Sequence, residues 1–224
     1  MVRKKIQRGF VARQAALESG EKNHLKMSNI THKWVSLLSP YAAEYAAKYS
    51  ASSLARLLGI PQQTASRYLN ELVANNQLSF VQEGRNKLFY FNFKQPSTRI
   101  MLEMIEQERA LKFQRKNNAA VIAVNDLAAV ADSLIIFGSH AAGTAREDSD
   151  LDIVVFSRKS KEQIQKIKQR YSFEINEHYS SYAEFGTLLQ SQNPLALEIL
   201  KNHLLFGNVS KLVALFMEDA HGYR

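Results

Sequence analysis

From Trp34 onward the apolar residues recur first at helical spacing, then at every second position, then at helical spacing again. In "SPYAAEYAAKY" Ser39 is a candidate N-cap and Pro40 suits a first helical position, so a helix begins or kinks there. The next stretch, "SASSLARLLGIPQQTASRYLNELVANNQL", predicts a short helix capped by Ser52 or Ser53 and carrying Leu54, Ala55, Leu57 and Leu58. Gly59 supplies a turn, and Pro61 opens a second helix over Pro61–Asn75 with Ala65, Leu69, Leu72 and Val73 on one face. The period then drops to two: "LSFVQEGRNKLFYFNF" predicts strands Leu78–Gln82 and Lys87–Asn92 about a turn holding Gly84 and Asn86. Beyond Pro96 a helix, Ser97–Lys116, carries Ile100, Met101, Met104, Ile105, Ala110, Leu111 and Phe113. This stripe is suited to packing between domains or between chains.

In the second half, "SLIIFGS" is a buried strand running into a glycine turn, and "DLDIVVF" is a second one after the loop Thr144–Ser149. An amphipathic helix, "SKEQIQKIKQR", leads to a third strand in "YSFEINEHYSS". Two helical segments ("AEFGTLLQ", "NPLALEILKNH"), a short strand ("LLFGN") and a closing helix ("VSKLVALFMED") complete a small α/β domain.

Charge divides the chain. Residues 1–120 hold 19 Lys/Arg against 8 Asp/Glu, a net +11, and residues 121–224 hold 10 against 13, a net −3. A basic half is the footprint of a nucleic-acid binder or of a solvated basic surface. Residues 1–33 are polar and basic with little period and read as an N-terminal arm. With no cysteine there can be no disulfide, thiolate metal site or cysteine nucleophile. No apolar run nears the ~18 residues that cross a bilayer, and no signal-peptide core follows the basic start. The expectation is a cytoplasmic protein without a membrane partner.

The polar side of Pro61–Asn75 presents Gln62, Gln63, Ser66, Arg67 and Asn70, which suit either a solvated face or the reading of bases and phosphates. The hairpin that follows puts Arg85 and Lys87 at its tip. Helix, glycine turn, helix and basic hairpin together resemble the winged-helix DNA-binding domain of small prokaryotic transcription regulators. The resemblance implies that the second helix enters the major groove of double-stranded DNA while Arg85 and Lys87 approach backbone or minor groove. Because palindromic operators favour two-fold dimers, a homodimer is expected, with the Ser97–Lys116 stripe as its seam.

Asp150 and Asp152 stand two apart on a strand and therefore share a face. Gly138 permits a tight turn, Ser139 can hold a phosphate oxygen, especially if a helix starts near His140, and paired hard carboxylates suit Mg²⁺. "GSHAAGTAREDSDLDIVVF", through Gly138-Ser139, Gly143 and Ser149-Asp150-x-Asp152 before an apolar strand, resembles the nucleotidyltransferase superfamily that includes DNA polymerase β and kanamycin nucleotidyltransferase. That resemblance implies Mg²⁺ or Mn²⁺ on Asp150 and Asp152. It also implies a nucleoside triphosphate, ATP by preference, at Gly138, Ser139 and Ser149, and a third carboxylate on a later strand. Glu174 is the choice for the third; it shares a face with Asn176 and His178, whereas Glu177 lies on the other. His178, His203 and His221 are scattered and are read as no zinc site.

The expected fold class is α+β. A winged helix-turn-helix (34–95) is joined by a connecting helix (96–118) to a nucleotidyltransferase-like α/β domain with a mixed sheet (119–224). The function expected is a DNA-binding regulator whose second domain binds Mg-NTP and transfers a nucleotidyl group to a protein or small molecule. The rivals are an antitoxin that modifies a partner toxin and uses the winged helix for autoregulation, and a pair of degenerate domains kept for dimerisation and DNA contact.

Overall fold

Extended backbone at Ser50 starts a helix of the N-terminal half. In the computed structural model, which describes residues 33–116, 118–146, 149–157 and 161–222, Ser50 belongs to a two-residue strand, β1 (Tyr49–Ser50), paired with Leu88. It leaves that strand at φ −79°, ψ 158°, and its Oγ accepts a hydrogen bond from the Ser53 N–H at 3.1 Å. Ser50, and not Ser52 or Ser53, is therefore the cap of α1 (Ala51–Leu58), because sheet pairing fixes the extended conformation a cap requires. Leu57, expected on the packed face, is 62% exposed. Gly59 ends α1 at φ +65°, and α2 (Gln62–Ala74) follows Pro61 and buries Ala65, Leu69 and Leu72. Strands β2 (Ser79–Glu83) and β3 (Asn86–Tyr90) pair antiparallel, Phe80 opposite Phe89 and Gln82 opposite Lys87, in a sheet of order β1-β3-β2. Upstream, Ser39–Ala43 is a short 3-10 helix with Leu38, not Ser39, in the cap position.

Helix α3 (Pro96–Gln114) has Pro40's counterpart, Pro96, in its first turn. Its buried face is rotated from the expected stripe: Thr98, Met101, Leu102, Ile105, Glu106, Ala110 and Phe113 are buried, whereas Ile100 and Leu111 are more than half exposed. The cause is tertiary, since the 3-10 helix, the strand Leu204–Gly207 and the helix Val209–Gly222 all pack on α3 within the same chain. The stripe expected as a seam between chains is thus largely covered inside one. The arm expected over residues 1–33 lies, up to residue 32, outside the described residues.

The C-terminal half builds α4 (Ala119–Ala128), β4 (Ser133–Phe137), α5 (Gly138–Ala142), β5 (Leu151–Phe156), α6 (Lys161–Lys168), β6 (Ile175–Tyr179), α7 (Tyr182–Gln190), α8 (Pro194–Lys201), β7 (Leu204–Gly207) and α9 (Val209–Gly222). The sheet order is β6-β5-β4-β7. Pairing of β5 with β6 is parallel, across α6, and the other two pairings are antiparallel, so the sheet is mixed. Leu134, Ile136, Ile153 and Val155 on one face join Val121, Val124 and Leu127 of α4 and Ile164 and Ile167 of α6 in a single core. On the other face Phe156 stacks on Tyr182 and meets Phe185 of α7 edge-on, with centroids 4.9 and 5.6 Å away. Helices on both faces explain why β4 is buried at every position and reads as an unbroken apolar run. Among the described residues no helix is long and apolar enough to cross a membrane.

One polar cluster lies inside this packing. Glu106 of α3 and His203, just before β7, are both fully buried, with His203 Nε2 3.2 Å from Glu106 Oε1. Glu106 also accepts hydrogen bonds from the Tyr45 hydroxyl (3.0 Å) and from Arg109 Nη1 (2.9 Å). His203 Nδ1 faces the carbonyls of Ile199 (3.0 Å) and Leu200 (3.1 Å). Both ring nitrogens therefore face oxygen atoms that accept hydrogen bonds. Burial by itself would raise the Glu106 carboxyl, but His203, Arg109 and Tyr45 outweigh it and hold the carboxyl below its ordinary value. The same burial, together with Glu106, pushes the Tyr45 phenol well up.

Because the folded pKa of Glu106 is depressed, the stability it contributes is present above the unfolded value of ~4.3 and is lost as pH falls through the lower folded value. Glu106→Gln, which leaves Arg109 without its counter-ion, is expected to cost about 3–5 kcal/mol at pH 7. It should also flatten the acid limb of the stability curve, as read by urea unfolding at several pH values.

Candidate functional site

The antiparallel pairing of β4 with β5 sets Phe137 opposite Asp152 and so brings the residue after β4, Gly138, beneath the Asp152 side chain. Gly138 has φ +65°, and a Cβ there would collide with Asp152 Oδ2. Only glycine satisfies both the left-handed backbone and the close approach. The other carboxylate oxygen of Asp152, Oδ1, accepts a hydrogen bond from Asn176 Nδ2 at 3.1 Å. Asp152 is half-buried and held from two sides, while Asp150, on the same face at the mouth of β5, is exposed.

Helix α5 starts at Gly138 itself, two residues before His140, so Ser139 stands in its first turn and is half-buried. The carbonyl of Ser139 accepts from the N–H groups of Thr144 (3.0 Å) and Ala145 (3.1 Å), folding the following loop back on the helix. Farther along, Ser149 Oγ accepts from the Arg146 N–H at 2.7 Å, and its carbonyl lies 3.3 Å from Nε2 of the buried His140. Ser149, next to Asp150, is thus tied to both Arg146 and His140.

Glu174 is exposed and sits immediately before β6, where its carbonyl accepts from the Leu151 N–H at 2.9 Å. The residue abreast of Asp152 in the parallel register is Asn176. Glu177, on the opposite face, is engaged by Lys168 and by Gln165 Nε2. Among the described residues no three His, Cys, Asp or Glu side chains come together in a group that could hold a metal ion, so Glu174 does not join the two aspartates in one. Sequence reasoning placed Asn176 on the right face but did not single it out. That would have required the β5–β6 register, which depends on the crossover through α6.

These donors fit a magnesium ion of limited protein ligation. Two hard carboxylates, one of them seated over a glycine that leaves room for nothing else, leave the remaining ligands to waters and phosphate oxygens.

A second surface gathers the polar residues of α2. Gln62, Gln63, Ser66, Arg67 and Asn70 line one open concavity with Pro61. Lys87 was expected at the hairpin tip. It is the second residue of β3, next to that turn and on the side of Phe89, with its Nζ 2.6 Å from Asn70 Oδ1 and 3.9 Å from the centre of the Phe80 ring. The structure brings Lys87 to the α2 face and leaves exposed Arg85 beside Gly84 in the turn.

Residues 123–206 match the family described as Nucleotidyltransferase domain. The match runs from within α4 to β7 and includes Gly138, Ser139, Asp150, Asp152, Glu174 and Asn176. The similarity to a nucleotidyltransferase domain is thus confined to residues 123–206. Comparison with curated proteins and with solved structures gave no match.

Gly138→Ala places a side chain at positive φ and against Asp152 at once. A loss of about 1–3 kcal/mol is expected from the backbone alone, read as a lowered Tm, with Asp152 displaced from its Asn176 hydrogen bond.

Proposed function

We propose that the chain is a DNA-binding protein whose nucleotidyltransferase domain takes a Mg²⁺- or Mn²⁺-bound nucleoside triphosphate, ATP by preference, and passes a nucleotidyl group to a hydroxyl on a protein or small molecule. The observation that carries the first part is Asp152, fixed between Asn176 and Gly138 inside the stretch that matches the nucleotidyltransferase family. Asp150 and Asp152 are the residues that hold the metal, and Ser139 in the first turn of α5 meets the outer phosphates. Bound there, the ion neutralises phosphate charge as it develops. The acceptor oxygen bonds to the α-phosphorus and pyrophosphate leaves. Asn176 cannot take the hydroxyl proton, so that proton passes to water or to a base the acceptor brings.

DNA binding is supported by the net +11 of residues 1–120 and by the surface of α2. Helix α1, the Gly59 turn, α2 and the β2–β3 hairpin follow the winged-helix order, with Gln62, Gln63, Ser66, Arg67 and Asn70 on the outward face of α2. Lys87 reinforces this face as a phosphate contact, and Arg85 serves the turn.

Calorimetry with ATP is expected to give binding that depends on Mg²⁺, and Asp150→Asn with Asp152→Asn should abolish the metal-dependent part while Glu174→Gln leaves it within about twofold. No heat with any nucleoside triphosphate in Mg²⁺ or Mn²⁺ would refute the nucleotide reading.

Duplex DNA binding should weaken steeply with salt, and Arg67→Ala or Lys87→Ala should each lower the slope of log K against log salt by about 1. Binding that ignores salt, or none to any fragment of the protein's own promoter at low salt, counts against the DNA reading.

A further inference from the structure

A cleft of about 680 Å³ opens where the segment after the 3-10 helix and the β2–β3 hairpin meet α8 and α9. That volume lies within the roughly 300–1,000 Å³ of small-molecule sites, which favour junctions between domains. Its walls are apolar on both sides, Val81 facing from the hairpin and Leu197, Leu200 and Phe216 from the helices.

The polar groups on the walls differ in their solvation. Lys48 and Lys201 are exposed, so their ammonium groups keep their water. Asp219 is half-buried on α9, and burial raises its carboxyl above the ordinary value. Among the described residues no hydrogen bond or ion pair involves Asp219. A carboxylate that has lost water without gaining a donor gains more from an incoming cation than two hydrated lysines gain from an anion.

We infer that this cleft binds a small apolar molecule carrying a protonated amine, its amine on Asp219 and its body against Phe216, Leu197 and Leu200. Tyr45 and Phe216 form part of the lining. The Tyr45 hydroxyl donates to Glu106, and the Phe216 ring meets His203 edge-on at 4.8 Å. An occupant therefore touches the side chains that tie α3 to the rest of the fold. The inference is independent of both activities proposed above.

The test titrates the full chain with 1-naphthylmethylamine and with 1-naphthylacetate, which share a ring system and differ in charge, by intrinsic probe fluorescence and calorimetry. The expected result is one amine per chain, bound at least about tenfold more tightly than the acetate. Asp219→Asn should erase that preference, and Leu197→Trp, which fills the cleft, should remove binding of both probes, with thermal melts showing that each variant is folded. If Leu197→Trp fails to fold, displacement of the probe from the wild type by unlabelled phenethylamine replaces it. Binding of neither probe overturns the site. An amine affinity unchanged by Asp219→Asn, or an acetate bound more tightly than the amine, overturns the assignment to Asp219.

Discussion

The pairing of Phe137 with Asp152 across β4 and β5 is the contact on which the geometry of the candidate site depends. It sets the end of one strand beside the start of the next, so the turn residue Gly138 and the carboxylate of Asp152 must occupy adjoining space. A single-residue slip would carry Asp152 to the opposite face, into the core with Ile153 and Val155. That slip is opposed by the buried runs themselves, because a shift by one residue would strand the Asp152 charge in apolar surroundings. The active face is therefore specified by the core beneath it.

Helix α3 holds the two halves in one framework. It is wrapped by the 3-10 helix, β7 and α9, and at its centre Glu106 receives Tyr45, Arg109 and His203. Buried ion pairs contribute little net stability compared with apolar residues of equal shape, but they reject any arrangement that separates the partners. Tyr45, Glu106 and His203 are far apart in the chain, so a cluster that requires all three penalises any packing of the N-terminal segment on α3 other than this one. At the surface Arg99 Nη2 donates to the carbonyl and hydroxyl of Ser210, and the Ser210 hydroxyl donates to Glu103, joining α3 to α9, while Arg99 and Glu103 pair within α3.

The polar face of α2 and the hairpin are coupled by Lys87. Its ammonium bonds Asn70 and lies over the Phe80 ring, so a cation drawn from β3 becomes part of the helix surface. This placement gives the proposed DNA-reading face a fixed positive charge, and the turn retains Arg85 as its own. At Ser149 the hydroxyl is engaged by Arg146 and the carbonyl by His140.

The sequence by itself determined the elements whose signals are local. Gly59 after an apolar period marks the end of α1, Pro61 the start of α2, the alternation about Gly84 the hairpin, and the two apolar runs with Gly138 and Asp-x-Asp the strands and turn of the site. These follow from backbone sterics and side-chain periodicity, which act within a few residues. Tertiary structure decided what depended on register and on neighbours distant in the chain. Ser50 became the cap because β1 pairs with β3, the buried stripe of α3 rotated because three elements cover it, and Lys87 turned to Asn70 because of its place opposite Gln82. His203, one of several scattered histidines in the sequence, became the partner of Glu106 across 97 residues. Asn176, not Glu174, came to lie beside Asp152, because parallel pairing through α6 sets which residue of β6 faces the carboxylate, and no local pattern encodes that register.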